Sequence, residues 1–226
     1  TSNEVNVVGT LNILHAAKDA NVKRVVFASS SSIYGETPEL PKHEKMMLQP
    51  LSPYAVSKLA AERYCSVFTK VYGLETVALR YFNVFGPKQD PTSQYSAVIP
   101  KFITAIMKNQ KPTIYGDGEQ SRDFTYVSNV VSGNILAATK PGIAGIVVNC
   151  ACHGQITLNY LVQKINEILG KKIKPLYTAP KPGDIKHSFA AVEAAKKHLD
   201  YKPDVLFDEG LMKTIIWYKD IEHSTL

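Results

Sequence analysis

Arg24-Val25-Val26-Phe27-Ala28 is a β-branched apolar run with no polar alternation, and it leads directly into four consecutive serines, Ser29 to Ser32. A strand with one wet face alternates apolar with polar residues. A continuous run suits a strand covered on both faces, as at the centre of a parallel sheet. The flanking segments agree with that reading. Residues 4–19 carry apolar side chains around much of a helix's girth, which predicts burial on more than one side. After a loop rich in Pro and Glu, Ser52-Pro53 places a capping side chain and a first-turn proline at the head of a long helix. That helix runs to about Tyr72 and is stopped by Gly73. The alternation continues with a strand from Thr76 to Tyr81, a Gly-Pro loop, and a helix after Pro100. A strand at Val147-Val148-Asn149, a helix from about Leu158 to Leu169 and a final helix ending near Trp217 to Ile221 complete the series. Alternating strands and helices predict an α/β fold on a parallel sheet.

Composition narrows the function classes. Of 226 residues 45% are hydrophobic and 20% charged, ordinary for a globular chain. No run approaches the ~20 apolar residues a membrane-crossing helix needs. The opening Thr-Ser-Asn-Glu lacks the basic and apolar regions of a secretory leader. Three cysteines, Cys65, Cys150 and Cys152, form no even set and have no partners at metal-ligand spacing, so they read as buried thiols in a reducing cytoplasm, with no metal site. The six histidines show no ligand or triad spacing either. The net charge of +6 is scattered, its densest clusters being Lys171-Lys172 and Lys196-Lys197, without interleaved aromatics for stacking bases. Neither nucleic acid nor a membrane is expected as a partner, whereas an anionic small molecule suits a modest basic excess.

The chemistry concentrates on the Ser52–Tyr72 helix. Tyr54 and Lys58 are one turn apart, so their side chains reach the same space. A phenol ordinarily holds its proton until about pH 10, and a neighbouring ammonium favours the phenolate, the condition for a tyrosine to take a proton near neutrality. Tyr-x-x-x-Lys alone is a weak motif. Here it opens a helix beside a strand ending in serines, at the carboxyl edge of a sheet, where ligands of open α/β sheets bind. Ala61, Cys65, Phe68 and Tyr72 extend the Tyr54/Lys58 face, while Val56, Ala60, Tyr64, Val67 and Val71 form a second apolar stripe on roughly the opposite side. Both faces call for cover, one by the sheet and the other by a neighbouring helix or a second subunit.

With Asn6-Val7-Val8-Gly9-Thr10, Ser29 through Gly35, Tyr54/Lys58, Arg80 through Pro87, Val98-Ile99-Pro100, Ile114 through Gly118, Arg122-Asp123-Phe124 and Pro182-Gly183-Asp184 in this order, the chain resembles the extended short-chain dehydrogenase/reductases that act on nucleotide sugars. The Asn83–Pro91 run is most similar to the 4-epimerases of UDP-N-acetylhexosamines within the UDP-glucose 4-epimerase group. The resemblance implies a Rossmann-like doubly wound sheet lacking its first strands, with a smaller C-terminal α/β domain. Residues 1–85 would belong to the dinucleotide-binding domain and 86–226 mainly to the substrate domain, with about 120–150 returning to the first. It also implies NAD as cofactor, a UDP-sugar as substrate, a homodimer, and epimerisation at C4 through a transient 4-keto sugar. Tyr54 would be the base, Lys58 would hold the nicotinamide ribose and favour the phenolate, and Ser30 would hydrogen-bond the reacting hydroxyl. Asn6, Ser30, Tyr54, Lys58, Tyr81 and Phe82 would meet the cofactor. Ser31, Ser32, Asn83, Gln89, Ala97, Val98, Tyr115, Arg122, Lys181, Asp184 and Ser188 would meet the UDP-sugar.

Three departures from the pattern qualify it. The glycine-rich turn that seats the NAD pyrophosphate on a helix N-terminus has no counterpart, so this chain by itself is expected to bind NAD poorly. Lys181 stands where the family usually has Arg, keeping the charge but losing the bidentate fork. Ala191 stands where the family usually has Asp. Two alternatives stay open: a 4,6-dehydratase or 4-keto reductase on the same scaffold, and a catalytically inactive fragment. Ser31 and Ser32 occupy the place of the Asp-Glu pair a dehydratase needs.

Overall fold

The computed structural model describes residues 1–90, 98–180 and 185–224, with side chains through 221. A π-helical turn, Glu4–Val8, leads into α1 (Gly9–Asp19), then β1 (Arg24–Ser30), a 3-10 turn at Ser31–Tyr34, α2 (Pro53–Tyr72), β2 (Glu75–Tyr81) and β3 (Val84–Phe85). There follow α3 (Val98–Met107), β4 (Thr113–Tyr115), β5 (Ser121–Arg122), β6 (Thr125–Tyr126), α4 (Val127–Thr139) and β7 (Val147–Cys150). The last elements are β8 (Ile156–Thr157), α5 (Leu158–Leu169), β9 (Leu176–Thr178), β10 (His187–Ser188), α6 (Glu193–Leu199) and α7 (Phe207–Ser224).

The expected parallel sheet has the order β1-β2-β7. Its register pairs Ser30 with Tyr81 and Tyr81 with Cys150, so the three strands end together at one carboxyl edge. Val25 and Phe27 pack toward Leu14 of α1 and Cys65 and Phe68 of α2, while Val26 turns to the opposite face beneath α4 and α6. Both faces are therefore covered, as the unbroken apolar run required. The central position belongs to β2, however, not to β1. Five consecutive β2 residues, Thr76 through Arg80, are buried, whereas among the described residues β1 pairs with β2 alone and is mostly half-buried.

Helix α2 starts and stops as its sequence dictates. Ser52 Oγ accepts the Ala55 N–H at 3.1 Å, Pro53 fills the first turn, and Gly73 ends the helix in the left-handed conformation. Gly35 is a second required glycine. It sits at φ +66, and a Cβ there would come within 1.8 Å of the Gln49 carbonyl oxygen. This close approach lays the loop entering α2 against the turn that follows the serines.

One expectation about helix faces needs correction, and a second is narrowed. Residues 4–19 are not buried around their girth: in α1 only Leu14 and Ala17 are buried, and Val5, Val8 and Ile13 are exposed. On α2 the Ala61, Cys65 and Phe68 face is buried as expected, yet the second stripe is uncovered within this chain, with Val56 52%, Val67 46% and Val71 65% exposed. The helix placed after Pro100 begins at Val98, because proline is tolerated in a first turn. A separate core joins α3, α5 and α7 through Ile99, Ile103, Ile106, Leu161, Ile165, Leu211 and Ile215. Each such fully buried side chain contributes roughly 1.5–3 kcal/mol. Cys65 and Cys150 are buried thiols, and burial pushes both up to about 12; Cys152 is half-buried. Among the described residues no helix is long and apolar enough to cross a membrane, and no acid/His/Cys cluster could hold a metal ion.

Candidate active site

The carboxyl edge of the sheet opens into a cleft of about 500 Å³. Ser29 to Ser32, Tyr54, Tyr81, Asn83, Val84, Arg122, Ile185 and Ser188 line it. Strand β1 delivers Ser30 at its last position, where the residue caps the 3-10 turn. Ser30 Oγ accepts from Ser32 N at 3.2 Å and from Ser32 Oγ at 2.9 Å. Both bonds use the Ser30 oxygen as acceptor, so its own proton remains available for donation into the cleft. Helix α2 presents Tyr54 from its first turn, 45% exposed. Lys58 follows one turn later. Its Nζ donates to Ala28 O at 2.9 Å and lies 5.2 Å from the Phe27 ring and 5.9 Å from the Tyr54 ring. Burial pulls the Lys58 ammonium below its usual range.

The opposite wall is Asn83, Arg122 and Ser188. Asn83 holds a positive φ of 22, a strained backbone of the kind that clusters at ligand sites, and its Nδ2 donates to Asp123 O at 3.4 Å. Arg122 Nη1 donates to Ser121 O and Lys186 O, and Ser188 is its partner across the parallel β5–β10 pair. Asp123 secures this wall from behind. It is fully buried, its Oδ1 accepts from Cys152 N at 3.0 Å and its Oδ2 from Ala190 N at 3.1 Å. Desolvation raises its pKa, opposed by those backbone donors.

Other residues singled out in the sequence, Tyr81 excepted, lie apart from the cleft. Asn6 Nδ2 donates to Ser57 Oγ at 3.0 Å, and Ser57 donates to the Tyr54 carbonyl, so Asn6 ties the N-terminal turn to the head of α2. The Phe82 side chain is wholly buried, 6.1 Å from the Tyr34 ring. The Tyr81 phenol donates to Asn134 Oδ1 at 2.9 Å, and burial raises it. Gln89 Nε2 donates to Val84 O, while its carbonyl accepts from Tyr218 of α7. Val98 opens α3, and Tyr115 closes β4, where its carbonyl accepts from Gln120 Nε2. Ala97, Lys181 and Asp184 fall outside the described residues.

Sequence reasoning missed Val84 and Ile185 in the cleft, and three buried charges behind it: Glu62, Arg80 and Asp123. Glu62 carried a signal, since it continues the Tyr54/Lys58 spacing onto an otherwise apolar face. Chemically, the cleft sets two hydroxyls and a nearby ammonium against an amide and a guanidinium. It can move a proton at a substrate hydroxyl on one side and hold an anion on the other.

A fold with this edge and this pairing defines a nucleotide-sugar short-chain dehydrogenase scaffold. The chain belongs to the NAD dependent epimerase/dehydratase family, whose profile matches residues 2–151. It is 44% identical, at a TM-score of 0.93, to the UDP-N-acetylglucosamine 4-epimerase of Methanobrevibacter ruminantium M1, solved with UDP-N-acetylmuramic acid, covering 97% of this chain and 70% of that one. It is 32% identical, at a TM-score of 0.88, to the UDP-glucuronic acid 4-epimerase of Bacillus cereus, solved with UDP-glucuronic acid and NAD, covering 96% and 68%. A putative UDP-glucose 4-epimerase of Methanocaldococcus jannaschii is 35% identical over 218 residues, 96% of this chain and 70% of that protein.

Proposed function

We propose that the protein interconverts C4 epimers of a UDP-hexose with NAD as cofactor, and that its substrates are UDP-N-acetylglucosamine and UDP-N-acetylgalactosamine. The observation that carries the reading is the single cleft lined by Ser30 and Tyr54 on one wall and Asn83, Arg122 and Ser188 on the other. Solved relatives that bind UDP-sugars and NAD support it. The residues present suit the nicotinamide-ribose end of the cofactor: Lys58 offers an ammonium for ribose hydroxyls beside the cleft, and Tyr81 lines its floor. NAD, when bound, accepts a hydride and returns it.

Tyr54 takes the proton of the sugar 4-hydroxyl, with Ser30 donating a hydrogen bond to the same oxygen as it becomes a carbonyl. As the resemblance implies, Asn83, Val98, Tyr115, Arg122, Lys181 and Asp184 would grip the UDP moiety. Affinity spent on the nucleotide, away from the reacting carbon, leaves the sugar loose enough to turn its other face before Tyr54 returns the proton. By resemblance Gln89, Ala97 and Ser188 would meet the sugar substituents, and a residue as small as Ser188 leaves space for an N-acetyl group where an aromatic ring would crowd it. In this reading residues 1–85 form the dinucleotide-binding part, and 86–226 the substrate part apart from about 120–150. The uncovered stripe on α2 fits a second copy of the chain, and the unpaired thiols fit a cytoplasmic location.

Turnover of UDP-N-acetylglucosamine and UDP-glucose, compared as kcat/KM, tests the assignment. We expect the N-acetyl sugar to be preferred. A strong preference for UDP-glucose would remove the N-acetylhexosamine assignment and leave the 4-epimerase reading standing; no epimerisation of either would remove both.

A further inference from the structure

Helix α2 carries Tyr54, Lys58 and Glu62 at successive four-residue steps, and the third of these is completely buried. Glu62 meets Arg80 of β2, which is 3% exposed, through two bonds: Arg80 Nη2 to Oε1 at 2.7 Å and Arg80 Nε to Oε2 at 3.1 Å. Ser29, the residue before Ser30, donates to Glu62 Oε2 at 2.6 Å. Arg80 Nη1 donates to the Tyr34 hydroxyl at 2.8 Å, and Tyr34 donates to Asn149 Oδ1 at 2.7 Å. Asn149 Nδ2 continues to the Lys42 and Ala191 carbonyls, at 2.9 and 3.1 Å. One network thus joins the catalytic helix, the strand and turn bearing the serines, β7, the loop leading into α2, and the segment just past Ser188.

A buried ion pair is a poor way to gain stability, because apolar residues of the same volume usually serve as well or better. Apolar contacts nevertheless tolerate sliding. A bidentate arginine–carboxylate pair that also accepts from Ser29 and donates to Tyr34 is satisfied in one register only. We propose that Glu62 and Arg80 are positioning residues, holding the Tyr54/Lys58 turn of α2 in fixed register against Ser30. The inference rests on Tyr54 and Ser30 acting on one hydroxyl, as set out above.

The test is the double variant Glu62→Leu/Arg80→Met, which fills the volume without leaving a lone buried charge. In the NAD-loaded enzyme we expect a melting temperature near the parent's, UDP affinity within a few-fold, and an unchanged KM. We also expect kcat lower by on the order of 10²-fold, the cost of misplacing reacting groups by ~1 Å. Its crystal structure should show the first turn of α2 displaced from Ser30 by about that distance. An undisplaced helix with unchanged kcat overturns the proposal. So does a parallel fall of kcat, UDP affinity and melting temperature, which marks the pair as support for the whole fold. Arg80→Lys, which keeps the charge but not the fork, carries the same test if the double variant does not fold: kcat reduced at unchanged UDP affinity supports the proposal, and parent-like kcat overturns it. Absence of epimerisation by the parent enzyme would fail the functional reading alone, since the displacement of α2 is read crystallographically without turnover.

Discussion

Ser30, Tyr54 and Lys58 stand on a seven-residue strand and a twenty-residue helix, whereas Arg122 and Ser188, across the same cleft, stand on paired strands of two residues each. The first wall is held by burial along regular elements: Phe68, Cys65 and Ala61 under α2, and Val77 and Leu79 along β2. The second has too little regular structure to hold itself. Its rigidity comes from one buried carboxylate, Asp123, which gathers the Cys152 and Ala190 amides from two separate segments. The difference matches the two tasks. Proton transfer needs donors fixed within a fraction of an ångström on stiff elements, while nucleotide binding can be assembled from loops by a few strong polar ties.

Each wall can be broken without the other. The largest effect belongs to Tyr54→Phe, which keeps the ring and deletes only the titrating hydroxyl. Loss of acid–base assistance is worth about 10²–10⁴-fold, and kcat should fall to the upper end or beyond because Ser30 donates but is no base. UDP affinity, measured by calorimetry, should stay within a few-fold. Near-parent turnover would mean that another group is the base. Asp123→Asn is the complementary break, with a smaller effect on rate. An amide NH₂ then faces at least one of the backbone N–H groups of Cys152, His153, Gly154 and Ala190, leaving a buried donor unmatched at a cost of about 1–3 kcal/mol. The melting temperature should drop by roughly 2–4 °C for each kcal/mol. KM for the UDP-sugar should rise several-fold, with kcat within about threefold. A kcat loss with unchanged KM would show that the two walls are not separable.

The same contrast explains what the sequence disclosed. The regular wall was legible because its signals are local: the capped start at Ser52-Pro53, the stop at Gly73, the unbroken run of β1, and Tyr54 with Lys58 one turn apart. The opposite wall owes its form to contacts between residues distant in the chain, such as Ser121 with His187 and Asp123 with Ala190, and no local pattern announces two-residue strands. Arg122, Asn83 and Ser188 were found through family resemblance rather than periodicity. Asp123, which the sequence offered only as part of the Arg122-Asp123-Phe124 motif, is buried among backbone amides, a role with no local pattern. The expectation that α1 is buried around its girth failed because an apolar pattern does not say whether its cover lies in the same chain, and here Val5, Val8 and Ile13 are exposed.

That last point yields the smallest expected effect on activity and the sharpest test of the regular wall. Val56, Tyr64, Val67 and Val71 run along the outer face of α2, and Val5, Val8 and Ile13 are exposed on the neighbouring N-terminal helix. Two such helices from each of two copies would make a four-helix interface about a twofold axis. In the proposed homodimer, Val67→Glu places a carboxylate at that interface twice, once from each subunit, where desolvation opposes it even with Arg63 and Lys70 one turn away on the exposed side. Val67 is 46% exposed in the single chain, so the substitution should cost the fold little, within about 0.5 kcal/mol. Dimerisation should weaken at least tenfold, the equivalent of about 1.4 kcal/mol. Sedimentation at micromolar concentration should show the parent as a dimer and Val67→Glu shifted toward monomer, with kcat within about twofold because the cleft draws no residue from this stripe. A parent protein that sediments only as monomer would end the dimer reading. An unshifted Val67→Glu dimer would move the interface to another face and leave the stripe on α2 without a function.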